Sequence, residues 1–492
     1  MHYCDLCKDT TNPTLRGLRM NVTLLVALLV GLSEARAQVT TAQGCMAGEV
    51  TATSAILQTR LTGGLTTNDV FGSEGFGRFQ VSVAEDFEPA LRTPWLSAQP
   101  DYDYILKTVV KGLTPGTRYF YRVEYGRDSL KTIVGNMGRF TTNDPEGMLP
   151  VKIAVVTGMN YNKFHHGVGR VTPYAGDDKD LGFPALEAIR EMKPTFFVGT
   201  GDNVYYDHPR EPAAKTVAEM RQKWHEQFVQ PRFVSLYTEV PTYWLKDDHD
   251  HRYDDSDRSG GRLPTHEDGV RIFKEQMPIV DPEDSTAVTY RTHRISRHLQ
   301  IWLPEGRDYR SDNKRPAGPD KTIWGVEQLD WFKRTLLDSD ATFKILISAT
   351  PMVGPDDARK SDNHVNQKGF RHEGDAIIDW LEANGFLEKN FYFVCGDRHW
   401  QYHSRHPSGF EEFSTGALVD NNARHGRKPG DPKSTDPGAE IEQIYTYEEP
   451  TGGFLMLTVA PTEDGRSAFA DFSFYDEKGK KLYGTMKDVN KN

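Results

Sequence analysis

The chain has 492 residues, which at roughly 100–200 residues per domain excludes a short binding module and allows several domains with a substantial core. Its 59 Lys and Arg against 70 Asp and Glu give a net charge of −11, so no nucleic-acid-binding surface is expected, and an anionic ligand needs a local cationic or metal site. Aromatic residues at 11% and apolar residues at 37% exclude a disordered chain and suit a globular one.

Residues 1–37 read as a signal peptide with an upstream extension. Arg16 and Arg19 precede an apolar run at 22–32 that is shorter than the roughly 20 residues of a membrane span, and Ala35-Arg36-Ala37 is a small-x-small cleavage site. The expectation is a secreted protein, periplasmic or extracellular, with no stable membrane span after processing and with Met20 as the start. Cys4-x-x-Cys7 then belongs to the upstream extension. Cys45 and Cys395 are too few for a disulfide framework, and sequence alone leaves their pairing open.

Residues 38–145 have the rhythm of short strands and turns. Strand patterns at 51–60, 79–83 and 104–110 are followed by the turn Gly112-Leu113-Thr114-Pro115-Gly116 and an aromatic strand at 117–123, which predicts an all-β sandwich. Tyr119-Phe120-Tyr121 reads as sandwich core. Residues 143–147 form the linker. From 146 to 492 apolar strands at 152–156, 195–199, 242–245, 299–303, 344–348 and 391–395 alternate with helical segments at 184–192, 216–228, 325–337 and 374–383, which predicts an α/β domain. Alternation at 454–459 and 468–475 predicts antiparallel strands that close its sheet.

Three of the buried strands run into acidic loops: Gly201-Asp202-Asn203-Val204-Tyr205-Tyr206-Asp207, Lys246-Asp247-Asp248-His249-Asp250 and Gly396-Asp397-Arg398-His399. Ligands of α/β sheets bind at the carboxyl ends of strands. Carboxylates gathered there repel unless a cation neutralises them, and carboxylates with one or two imidazoles suit calcium, manganese, magnesium, iron or zinc. The alternative for any one loop is a solvated acidic turn.

Gly201-Asp202-x-x-Tyr205-x-Asp207, Asp247-Asp248-His249-Asp250 and Gly396-Asp397-x-His399, in this order behind a β-sandwich, resemble the PhoD-like alkaline phosphatases, a branch of the calcineurin-like metallophosphoesterases. Arg307-Asp308-Tyr309-Arg310 and the segment from Trp324 to Trp331 are also similar to that family. The resemblance implies two domains, an all-β sandwich and an α/β metallophosphoesterase-type β-sandwich core flanked by helices. It also implies that Asp202 bridges two metals, that Tyr205 is a phenolate ligand, and that Asp248, Asp397 and His399 complete the site, with Asp207 a further candidate. A tyrosinate favours ferric iron, and the oxygen-rich remainder favours calcium. Where the family has a Ser-Cys pair this chain has Thr157-Gly158-Met159-Asn160, and a neutral thioether cannot replace a thiolate, so calcium is expected before iron.

His249 is the expected proton donor to the leaving group, with Asp250 as a possible support for its ring. Arg307 and Arg310 could present planar donors to phosphate, Arg307 also as a catalytic group. Asn160 and His165 are weaker candidates for the place of the missing cysteine, and His403 and His406 read as loop residues outside the site. The function expected is hydrolysis of phosphate esters, mono- or diesters, by a metal-activated hydroxide. Two rivals are a non-catalytic metal-stabilised surface protein, which a filled cavity would favour, and the same site acting on sulfate esters or phospholipids.

Overall fold

In the computed structural model, residues 38–65, 70–463 and 467–489 are described. The signal-peptide reading, with Arg16, Arg19 and Cys4-x-x-Cys7, lies outside them. Two large sheets form the centre. A nine-stranded sheet runs in the order Lys481–Asp488, Ala468–Asp476, Gly453–Pro461, Val151–Val156, Phe196–Thr200, Thr242–Leu245, Cys45–Gly48, Ser54–Arg60, Ile105–Lys111. A seven-stranded sheet runs Arg291–Ser296, Leu299–Leu303, Phe343–Ser348, Phe391–Cys395, Glu411–Thr415, Gln401–Arg405, Glu442–Thr446.

Side-chain alternation explains why the central strands read as unbroken apolar runs. Ile153 and Val155, Phe196 and Val198, and Tyr243 and Leu245 enter the core shared with Ile301, Ile345 and Val394 of the other sheet. Their neighbours Ala154, Val156, Phe197 and Trp244 point outward, under the helices Pro184–Glu191, Val217–Phe228, Pro231–Glu239 and His266–Gln276. The seven-stranded sheet is covered likewise by Gly325–Leu337 and Arg371–Ala383, through Phe332, Leu336, Ile377 and Leu381. A strand covered on both faces needs no polar side.

The amino-terminal sandwich is present, but one of its sheets is not its own. Arg118–Gly126 and Gly75–Ser82 lie in a separate six-stranded sheet, and they face Ala47, Ala55, Leu57, Leu106 and Val110 across a core that holds Tyr119 and Tyr121. Those facing residues lie on strands of the nine-stranded sheet, joined to it where Gly48 pairs in parallel with Thr242. Sequence reading missed Cys45–Gly48, whose residues Cys-Met-Ala-Gly include no β-branched or aromatic side chain to mark a strand, unlike the equally short Thr242–Leu245.

The helices fall close to the expected places, Arg371–Ala383 starting three residues before the predicted 374. The first turn of the helix Val217–Phe228 is fixed by a reciprocal cap between Thr216 and Glu219. His403 is not in a loop. It lies in Gln401–Arg405, buried, with its ring bonded to Glu411 at 2.8 Å and Tyr483 at 3.0 Å. Cys45 and Cys395 are both free and buried. No helix among the described residues is long and apolar enough to cross a membrane.

Candidate metal and phosphate site

Val151–Val156, Phe196–Thr200 and Thr242–Leu245 are parallel neighbours, so the loops that leave their carboxyl ends emerge side by side. Gly201 follows the second strand with φ at +102°, and a Cβ there would meet the Cβ of Asp247 at 2.4 Å. The next residue, Asp202, is left-handed at φ 55°, and Asp397, placed equivalently after Phe391–Cys395, is left-handed at 56°. Such conformations cost roughly 1–3 kcal/mol and concentrate at functional sites. The two strained carboxylates line one open cavity of about 1110 Å³, together with Asp207, Asp248, His249 and His399.

Asp202 is the centre of the cluster. Its Oδ2 accepts a hydrogen bond from the Tyr205 hydroxyl at 2.7 Å and lies 2.9 Å from His399 Nε2, while Oδ1 is buried with no hydrogen-bond partner among the described residues. Tyr205 is oriented by Asn422, whose Nδ2 donates to the phenol oxygen at 2.9 Å, and Lys163 in turn donates to Asn422 Oδ1 at 2.7 Å. Burial, reinforced by Asp248 and Asp250, pushes Asp202 well above the usual carboxylate range. Burial also raises Asp397, with Asp362 and Asp248 adding to it against the Arg398 guanidinium in contact with it. Burial, with Arg424 and Lys163 nearby, holds His399 well below its ordinary value, which leaves a neutral imidazole with a lone pair to give.

Carboxylates that burial drives towards protonation, an orphaned carboxylate oxygen and a neutral imidazole are the donor set of a cation site, since a bound cation reverses the local bias. The residues fit the metal ions that the motifs imply. Asp202, Asp248 and His249 bring ligand-type atoms within 4.8 Å of one another, as do Asp207, His208 and His249, and Asp248, Asp254 and Asp255.

Asp250 does not support the His249 ring. It is fully buried and accepts hydrogen bonds from the backbone amides of Asp247 at 2.7 Å and of Asp202 and Asn203 at 3.2 Å, thereby tying the first acidic loop to the second. The ring is held by Asp207, whose Oδ1 is 2.6 Å from His249 Nδ1. Asp207 thus stands beside the histidine, and Nε2, 3.9 Å from Asp254 Oδ1, is the free nitrogen.

The expectation for the two arginines also needs correction. Arg307 is completely buried, with Nε 2.7 Å from Asp247 Oδ1 and Nη1 2.7 Å from the Ser256 carbonyl. Arg310 donates to the carbonyls of Gly306 and Asp362, both at 2.8 Å. Neither lines the cavity. A guanidinium that follows a buried strand is drawn to the nearest buried acceptors, and Asp247, turned away from the cavity, is one of them.

Asn160 is also engaged. Its Oδ1 caps the turn Tyr161–His166 through the Lys163 amide, and its Nδ2 lies 2.8 Å from His208 Nδ1. His165 meets Gln230 at 2.8 Å and is not part of the cavity wall, whereas His166 is. Sequence reading missed His208, Asp254, Asp255, Lys163 and Asn422. The Asp254-Asp255 pair was a visible signal, close after the second motif. Asn422, far from any motif, gave none.

The chain matches the family model of PhoD-like phosphatase over residues 153–456 and that of the PhoD-like phosphatase N-terminal domain over 27–144. No curated protein matches it. Among solved structures, a structure of PhoD aligns with a TM-score of 0.68 at 17% identity, over 90% of this chain and 92% of the other. The purple acid phosphatase PPD1 from yellow lupin (Lupinus luteus) seeds aligns with a TM-score of 0.58 at 13% identity, over 90% and 74%. At these identities the likeness is one of fold.

Proposed function

The chain belongs to the PhoD-like phosphatase family and is a metal-dependent phosphoester hydrolase, and on that premise we propose that Asp202, Tyr205, Asp248, Asp397 and His399 hold its metal ions, with His249 the proton donor to the leaving group. The observation that carries this assignment is Asp202, with one oxygen facing Tyr205 and His399 and the other buried without a partner among the described residues. The bound ions supply positive charge and Lewis acidity at the phosphate, so that its attack by water is eased.

The protein residues do the rest. Asn422 and Lys163 fix the tyrosine oxygen, Asp250 locks the first two acidic loops together, and Asp207 accepts a hydrogen bond from His249 Nδ1–H, so that the imidazolium can give its Nε2 proton to a departing alkoxide and remain as neutral imidazole. The cavity is open, which favours an enzyme over a protein whose metals only fasten loops. Calcium is the ion best matched to the oxygen donors, and iron is disfavoured because Met159 is neutral and both polar groups of Asn160 are engaged elsewhere. Secretion is part of the reading and is supported by the signal-like pattern of residues 1–37.

The test is a panel of phosphate monoesters, phosphate diesters and sulfate esters on protein of defined metal content, with metal analysis and a visible spectrum of the protein as purified. Hydrolysis of phosphate esters that depends on calcium is expected. Preference for sulfate esters would overturn the substrate, and stoichiometric iron with a strong phenolate charge-transfer band would overturn the metal.

A further inference from the structure

A smaller cavity of about 250 Å³ adjoins the large one, with Arg359, Lys360 and Arg424 in both walls. The four residues after Gly396 alternate between the two: Asp397 and His399 line the large cavity, Arg398 and Trp400 the small one. Consecutive Cα atoms are about 3.8 Å apart, so this annex lies within reach of a group bound over Asp397 and His399.

The annex inverts the charge of the chain. Arg359, Lys360, Arg398, Arg424 and Arg427 line it against Asp356 and Asp357, in a protein of net charge −11. Arg398 is committed to Asp356 and Asp397, and Lys360 to Asp255. Arg359 and Arg427 share one oxygen, Asp357 Oδ2, at 3.1 and 3.2 Å, and Arg427 is paired besides with Asp431 Oδ2 at 3.1 Å. Arg424 is exposed, has no acidic partner among the described residues and lies 5.3 Å from the centre of the Trp400 ring. Trp400 is 3% exposed, and its indole Nε1 has no acceptor among the described residues. An exposed guanidinium with no carboxylate, Arg424, beside Arg359, which has only a share of Asp357, within a concave wall, is the arrangement that receives a carboxylate or phosphate.

Resting on the reading of the large cavity as the phosphate-ester site, we infer that the annex binds a second anionic group, carried by the leaving group, so that organophosphates with a further carboxylate or phosphate are the preferred substrates. The phosphorus being attacked sits over the acidic cluster, and the leaving portion extends past His399 to Arg424 and Arg359.

The experiment compares alkyl phosphates of increasing spacer length that end in a methyl, a carboxylate or a phosphonate, as monoesters and as methyl diesters, on metal-loaded wild-type protein and on Arg359→Gln, Arg424→Gln and the double variant. At the favourable spacer kcat/KM should be about tenfold higher for the anionic end, on the scale of one charge-assisted contact, and the gain should shrink with added salt. The preference should fall in each single variant and vanish in the double one. Both arginines are exposed, so the variants are expected to fold. Non-hydrolysable alkylphosphonates with the same ends, measured by calorimetry, read the same preference without turnover. If wild type hydrolyses none of the esters, the proposed function fails while the calorimetric ratio still decides the annex. A ratio near one in wild type, or a ratio the double variant leaves intact, overturns the annex.

Discussion

The loops at 201–207 and 305–310 both follow buried strands, both are rich in charge, and both resemble the same family, yet the structure uses them in opposite ways. The first presents Asp202 and Asp207 to the cavity, whereas the second sends Arg307 beneath it to Asp247. The adjacent acids Asp247 and Asp248 mark the boundary. Asp247 is fully buried against an arginine, and Asp248 faces the cavity. Charge at a strand end therefore takes one of two roles, depending on whether its counter-charge comes from the protein or has to come from a ligand.

That difference can be broken most strongly at Asp202. Asp202→Asn keeps a side chain that tolerates the left-handed backbone and an acceptor for Tyr205, but removes the charge. Metal content and phosphate-ester hydrolysis are expected to fall together to background, with the thermal midpoint of the metal-free protein unchanged or raised, since a buried carboxylate with an unpartnered oxygen is lost. Metal analysis beside calorimetry checks both halves, and full metal content with wild-type turnover would sink the assignment.

Arg307→Met should do the reverse. It strands the buried Asp247 carboxylate at a cost of about 3–5 kcal/mol, the scale for breaking a buried pair by removing one partner. Denaturant unfolding of the metal-free protein measures it. Adding Asp247→Asn should restore most of the loss, and an Arg307→Met variant as stable as wild type would mean that Asp247 is already neutral.

Much of this layout could be read from the chain. The central strands and the three acidic loops were legible because strands covered on both faces leave long apolar runs with abrupt polar ends. Cys45–Gly48, without a β-branched or aromatic residue, and the partly exposed edge strand Glu442–Thr446 were not, and neither was the pairing of Gly48 with Thr242 that joins the sandwich to the main sheet. Within the site, residue types at motif positions could be named, but not the partner of each. That His249 leans on Asp207 and not on Asp250 depends on how a four-residue helix, Asp248–His251, turns its side chains, and adjacency in sequence misleads there. Asn422 had no legible signal because its role comes wholly from tertiary contact with Tyr205.

His249, on the acidic loop after Thr242–Leu245, sharpens the comparison within the cavity, between residues that hold charge and residues that move a proton. His249→Ala should lose on the order of a hundredfold in kcat on alkyl phosphates and much less on an activated aryl phosphate, because only a poor leaving group needs protonation. Asp207→Asn should show the same leaving-group dependence at smaller size, about tenfold, with metal content kept. Equal losses on all leaving groups would assign both residues to the metal instead.

The smallest effect is expected far from the cavity, where a charge is satisfied wholly by the protein and pH therefore acts on stability alone. Glu411 is opposed by burial, but hydrogen bonds from His403 and Lys487 hold it down to about 2 from an ordinary 4.5. A carboxylate with a folded value below its unfolded one stabilises the fold above the unfolded value, and the stabilisation is lost as pH falls through the window from 4.5 towards 2. With allowance for partial exposure, lowering the pH from about 7 to about 3 should remove about 1 kcal/mol through this group. Glu411→Gln cannot titrate, so its unfolding free energy should be lower than that of wild type near neutrality and should close most of that gap at low pH. A gap that stays constant over the whole range would show that Glu411 stabilises by packing and not by its charge.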